Sequence, residues 1–198
     1  MIYIYTGLAA FLLFLLYDIN AARLHSGLLG SSFFIGCILL FGSTAGILAA
    51  SLAQIFITPF TVVCMIVAFV FFTLLVYTLF VVLPFRNTYL ASPAMDEKKT
   101  VCSCGVYALS RHPGVLWFTG MYISLYMAVP TPLVLKACIT FCVCNIFYVI
   151  FQDLWTFPRT FTDYGRYKET VPFLFPTPES IRRCTDTLNS RKKEHNEV

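Results

Sequence analysis

The sequence is short of charge. Only 12% of its 198 residues are Asp, Glu, Lys or Arg, whereas 58% are hydrophobic. A soluble domain averages roughly 25% charged residues, so this chain lacks the polar surface to cover a globule in water. Inside its apolar runs the only ionisable side chain other than thiols and tyrosines is Lys136, near one end. With no charged path across the midplane, a transporter is disfavoured. No basic stretch precedes the first apolar run, which opens Met1-Ile2-Tyr3, so a cleaved signal peptide is not expected. Cys102-Ser103-Cys104 has no second pair to complete a structural zinc pattern, and no metal is expected. Cys37, Cys64, Cys138, Cys142 and Cys144 lie within apolar runs, where a free thiol acts as a small hydrophobe. There is no internal repeat and no low-complexity segment.

What the chain has is apolar length. Runs at 2–17, 29–51, 57–83, 114–129 and 133–151 approach the roughly 20 residues that a membrane-spanning helix needs. The reading is an all-α, polytopic membrane protein of about five transmembrane helices with the lipid bilayer as its solvent. Pro130-Thr131-Pro132 is too short to join the last two runs except as an antiparallel helical hairpin. Gly36, Gly42, Ser43, Ala45, Gly46, Ala49 and Ala50 suit close packing of helices in lipid, within the chain rather than as a dimer face. Asp18 and His25 flank the first loop and are expected to be solvated at the interface.

Positive charge gives the orientation. Arg23 lies in the first loop, Arg86, Lys98, Lys99 and Arg111 in the third, and eight more Lys and Arg from Arg159 to Lys193 follow the last run. The second and fourth loops carry none. With five spans, all these basic loops and the C-terminus fall on one face, which the positive-inside rule makes cytoplasmic. Lys136 sits one turn inside the last helix, where its stem can reach outward. The net charge of +4 is a topology signal and needs no nucleic acid to explain it. The organisation expected is three transmembrane helices over 1–85, a core over 86–178 and a polar tail over 179–198, disordered from Asn189 to Val198.

Chemistry is concentrated between residues 98 and 178. Gly105-Val106-Tyr107-Ala108-Leu109-Ser110-Arg111-His112-Pro113 precedes the hairpin, and Phe151-Gln152-Asp153-Leu154-Trp155-Thr156-Phe157-Pro158 follows it. Pro113 suits the first helical position and pushes His112 away from α geometry towards extended backbone. With Thr131 as the turn, His112 and Ile150 are each nineteen residues away. Helices of equal rise bring them to one depth, so Gln152 and Asp153 should emerge beside Arg111 and His112. The segment Phe161–Pro176 contains a short helix, capped by Thr162 or Asp163 and ended before Pro172. Tyr164, Tyr167 and Val171 share one of its faces. It reads as an interfacial anchor that also folds over the converging cluster, with Phe173-Leu174-Phe175 dipping back into the interface.

These residues resemble the isoprenylcysteine carboxyl methyltransferase and phospholipid methyltransferase superfamily of membrane enzymes. The family pattern is matched by Gly105, Tyr107 and Arg111-His112-Pro113 before the hairpin. After it come Gln152-Asp153 at the family's acidic pair, Phe161, Tyr164, Tyr167 and Val171-Pro172. The match covers about the C-terminal 80 residues. Val115 and Trp117 stand where the family often has Tyr and Gly, and Gln152 gives one acidic charge fewer. The resemblance implies S-adenosylmethionine at the cytoplasmic mouth of the hairpin and methyl transfer to a lipid-like or prenylated acceptor entering from the bilayer. The implied cofactor-binding residues are Gly105, Tyr107, Arg111, His112, Pro113, Gln152, Asp153, Tyr164 and Tyr167. Arg111 or His112 could hold the cofactor's carboxylate and Asp153 its ammonium. Tyr107, Tyr164 or Trp155 could stack on adenine or face the sulfonium.

Two other readings share the region. Membrane sterol reductases, which use NADPH, look similar around Arg-His-Pro but continue Asn-Tyr, where this chain has Gly114-Val115. A non-catalytic lipid-binding or scaffold protein of the same architecture is the other. A soluble Rossmann-type methyltransferase is disfavoured because no Gly-rich turn joins a strand to a helix.

Overall fold

Proline punctuates the observed helices. The computed structural model describes residues 1–82, 100–101 and 103–196; the expected third-loop cations Arg86, Lys98 and Lys99, the end of the third run, the 85/86 boundary and Cys102 lie outside the described residues. The long helices are α1 (Ile2–Ile19), α2 (Ser32–Ser51) and α3 (Pro59–Val76). Next come a short α4 (Val106–Leu109), then α5 (Pro113–Ala128) and α6 (Pro132–Phe151). Two short helices, α7 (Phe157–Thr160) and α8 (Tyr164–Thr170), and a longer α9 (Pro178–Asn196) complete the chain. No strand occurs among the described residues.

Helices α3, α5 and α6 each begin at an X-Pro step, where the missing N–H is one the first turn could not have bonded. Thr58 and Thr131 supply the cap, accepting hydrogen bonds from Thr61 N at 3.1 Å and Val134 N at 3.2 Å. Thr131 thereby also fixes the hairpin turn, as expected from Pro130-Thr131-Pro132.

Four helices are long and apolar enough to cross a membrane: Ile2–Leu24, Leu29–Gln54, Pro59–Val82 and Pro132–Thr160. Three of these run beyond their α-helical parts through wider π-type turns, at Asn20–Leu24, Tyr77–Val82 and Gln152–Thr156. The polar stretch after the hairpin is therefore not a loop but a continuation of α6 as far as Thr160. Helix α5 has 16 residues, about 24 Å at 1.5 Å per residue. Helix α9 extends along the tail to Asn196.

Packing follows the small residues. Helix α1 lies against α2 and α6, and α3 lies against α5. A Cβ at Gly36 would come within 2.6 Å of the Phe14 ring, and one at Gly7 or Gly46 would strike Phe141 or Tyr3. These glycines let α1 approach both neighbours. Gly42 has no such neighbour, so of the small residues expected to serve close packing Gly36 and Gly46 do and Gly42 does not. Phe11, Phe118, Tyr122 and Phe141 form the aromatic centre, with ring centroids 4.8–6.3 Å apart. Polar ties cross between helices: Ser43 Oγ donates to Tyr3 O at 2.6 Å, and Thr44 Oγ1 pairs with Tyr122 Oη at 2.6 Å. The outward faces carry Phe41, Phe69 and Phe147, each about two-thirds exposed. Such surface is stable against lipid and not against water. Lys136 is exposed, as its position near the helix start requires.

Candidate functional site

The two polar clusters meet at one carboxylate. Asp153 lies in the π-type turn after α6 and is 4% exposed. Its Oδ1 accepts a hydrogen bond from Tyr164 Oη at 2.6 Å. The same oxygen lies 3.0 Å from Arg111 Nε, an ion pair whose angle falls short of a hydrogen bond. His112 Nε2 stands 3.4 Å away. Oδ2 pairs with Lys168 Nζ at 3.0 Å. Equal helix rise thus places Arg111-His112 and Asp153 together, as the spacing from Thr131 required.

Gln152 is not part of this group. A π-type turn, like any helical turn, points adjacent side chains in different directions, and Gln152 faces Asp18 of α1 while donating to Tyr148 Oη of α6 at 2.9 Å. Lys168 was missed by sequence reasoning. Its signal was its place four residues after Tyr164, on the same helical face.

The segment after Phe161 closes over the carboxylate. Tyr164, Tyr167 and Val171 are buried on one face of α8, packed against Val101, Phe157 and Phe161. Asp163 stands at the N-cap position, but its Oδ1 accepts from Val101 N at 2.9 Å instead of capping the helix. Tyr167 Oη donates to Tyr107 O at 2.7 Å, and Arg111 N donates to Pro172 O at 2.9 Å. Arg111 Nη1 donates to Lys168 O at 3.0 Å, and Ser110 Oγ to Phe173 O at 3.2 Å. The stretch before the hairpin and the stretch after it are thus zipped together.

Phe173 turns inward. Its ring lies 5.1 Å from the His112 ring and 5.6 Å from the Arg111 guanidinium, while Phe175 is exposed. Phe157 stacks on the other side of His112 at 5.7 Å and 10°. His112 is nonhelical at φ −127°, ψ 60°, short of fully extended. Burial between these rings pushes its pKa below the usual 6.5, against the opposing pull of Asp153. The imidazole is therefore neutral near pH 7. Burial, and then the bond to Asp153, pushes the Tyr164 phenol up. Arg111 and Lys168 against Asp153 leave one positive charge in excess.

The remaining expected site residues lie around this centre. Pro113 is buried as the first residue of α5. Tyr107 Oη donates to Thr78 O at 3.3 Å, at the end of the third long helix. Gly105 adopts φ 58°, ψ −131°, a conformation open essentially to glycine alone, and its N–H donates to Thr187 Oγ1 of α9 at 3.0 Å. Trp155 stacks on Phe151 at 5.0 Å, and the guanidinium groups of Arg159 and Arg23 lie 4.9 and 5.5 Å from its ring. Trp117 donates to Thr78 Oγ1 at 3.1 Å, and Val115 is buried in the packing of α5.

Asp18 departs most from expectation. It is 3% exposed rather than solvated, whereas His25 is exposed at φ 52° beyond the π-type turn. Gln152 and Tyr148 are the polar side chains that approach it. Its Oδ2 is buried with no hydrogen-bond partner. Compared with protein-family models, with curated proteins and with solved structures, the chain matches none of them.

Proposed function

We propose that this chain is an integral membrane methyltransferase that uses S-adenosylmethionine and acts on a lipid-like or prenylated acceptor at the cytoplasmic face. The observation that carries the reading is the meeting of Arg111, His112 and Asp153 beneath the Tyr164–Phe173 segment. In this reading the 16-residue α5 also crosses, giving five spans; the bilayer thins locally to meet a helix shorter than its roughly 30 Å core. The basic loops and tail then share the cytoplasmic side.

The residue types suit the cofactor. The excess positive charge at Arg111 and Lys168 favours a carboxylate, and Arg offers a planar fork for it. Phe157 and Phe173, both half-buried, supply aromatic surface for adenine. The cofactor would bring an activated methyl group, whose transfer needs no covalent enzyme intermediate. What the protein contributes is orientation and exclusion of water. Asp153 holds Arg111 and Tyr164 in place, and neutral His112 is clamped between two rings. Three of Asp153's partners are buried on Oδ1; Lys168 on Oδ2, with its side chain 35% exposed, is the one that can be exchanged.

A second reading has its own observation. Because Asp153 already has four partners within the chain, the cluster also suits a clasp in a non-catalytic lipid-binding or scaffold protein. Calorimetric titration of the purified protein with S-adenosylmethionine and NADPH separates the readings. Saturable binding of S-adenosylmethionine, weakened about tenfold by Arg111→Lys through loss of the fork, is the expected result. Methyl transfer from labelled cofactor to membrane lipids would then identify the acceptor. NADPH binding would replace the proposal with a reductase, and binding of neither would leave the clasp.

A further inference from the structure

Asp18 keeps one unsatisfied oxygen among the described residues in either protonation state. As a carboxylate, it makes no ion pair with a described cation, whereas Asp153 makes three. As an acid, whichever oxygen carries the proton, Oδ2 would still lack a hydrogen-bond partner. Buried polar atoms are almost always paired, and an ionisable group inside a membrane span marks a functional site by default. Asp18 lies within the apolar helix Ile2–Leu24 and is the sole acidic residue among the first 95.

The surroundings define what is missing. Gln152 and Tyr148, both on the α6 side, approach the carboxyl, and they already bond to each other. Arg23, the nearest cation in sequence, has its guanidinium over the Trp155 ring. No group of three or more His, Cys, Asp and Glu that could hold a metal occurs among the described residues. One carboxylate beside one amide and one phenol suits a singly charged N–H donor better than a divalent ion, which draws several anionic ligands. Two π-type turns, Asn20–Leu24 and Gln152–Thr156, flank the position. Such turns recur at functional sites.

We infer that Asp18, with Gln152 and Tyr148, is a binding site for the ammonium group of a ligand. Two sources share this chemistry: the amino-acid end of S-adenosylmethionine and the amine headgroup of a lipid. The first source rests on the function proposed above; the second does not. The inference also moves the ammonium from Asp153, which its own chain saturates, to the acid that lacks a partner.

The full chain in detergent or lipid nanodiscs, with Asp18→Asn beside it, provides the test. For the first source, S-adenosylmethionine is titrated against 5′-methylthioadenosine, which lacks the amino-acid end. For the second, retention of phosphatidylethanolamine is compared with that of phosphatidylglycerol by native mass spectrometry. Loss of one buried ionic partner should weaken the ammonium-bearing probe about tenfold or more and leave its counterpart unchanged. Either source behaving so supports the inference. If Asp18→Asn changes neither, or if the unaltered chain binds neither ammonium probe, Asp18 is a carboxyl satisfied by water or a proton, and the inference is overturned. Should Asp18→Asn fail to fold, carbodiimide labelling of Asp18 in the unaltered protein decides instead. Protection by an ammonium probe and not by its counterpart supports the site, and labelling unaffected by any probe overturns it. Failure to bind S-adenosylmethionine, with Asp18-dependent retention of the amine lipid, would sink the methyltransferase reading alone.

Discussion

Two buried acids stand on either side of Gln152, and they are wired in opposite ways. Asp153 and Asp18 are 4% and 3% exposed. Asp153 has four partners: Arg111, His112, Tyr164 and Lys168. Asp18 has an orphan oxygen and no cation among the described residues. Burial is the same, so burial alone does not say what an acid is for. A carboxylate saturated by its own chain ties elements together: here it holds the stretch before the hairpin, the end of α6 and helix α8. A carboxylate left short of a donor costs folding energy without such a return, which is a reason to look for a ligand.

The comparison can be broken or sharpened by mutation. The largest expected effect is at Asp153. Asp153→Asn leaves Arg111 and Lys168 without their counter-charge, and breaking a buried ionic group in this way costs about 3–5 kcal/mol. Thermal or denaturant unfolding in detergent checks it; a cost below about 1 kcal/mol would show that the cluster is not a clasp. Tyr164→Phe should cost less, about 1.5–3 kcal/mol for a hydrogen bond to a charged group. It should also increase proteolytic nicking within α8 while leaving the α1–α2 contacts intact.

A smaller effect is expected from acid. Burial holds His112 below its usual 6.5, so the unfolded chain takes up the proton first as pH falls. The contribution of His112 is full above pH 6.5 and is lost as pH drops towards the folded-state value. Stability measured from pH 7 down to 5 should fall more steeply in the unaltered protein than in His112→Gln. Parallel slopes would assign the acid sensitivity to other groups.

Asp18→Asn should have the smallest effect on stability in the absence of ligand, within about 1 kcal/mol and towards higher stability, because it removes a buried charge with no cation beside it among the described residues. A loss comparable to that of Asp153→Asn would abolish the contrast and make Asp18 a second clasp.

How much of this was legible in the sequence varies by residue. His112 and Asp153 were placed together by counting from Thr131. Tyr164, Tyr167 and Val171 were placed on one face by spacings of three and four. Asp18 was misread because it ends an apolar run beside Asn20 and Arg23, which looks like a solvated border. Its burial depends on α1 lying close against α6, where Gly7 admits the Phe141 ring. Gln152 and Asp153 looked like one pair in a single site, yet they face different neighbours.

The sequence by itself determined the apolar helices, their proline-marked starts, the hairpin and the depth at which its two polar ends meet. These follow from composition and from a backbone whose rise per residue is fixed whatever surrounds it. Tertiary structure alone decided which way each side chain points: Lys168 and Phe173 into the site, Gln152 towards α1, Asp18 into the interior. Rotation about a helix axis costs the backbone nothing. It is set by which ridges and glycine gaps of neighbouring helices fit together, and that is a property of the packed molecule.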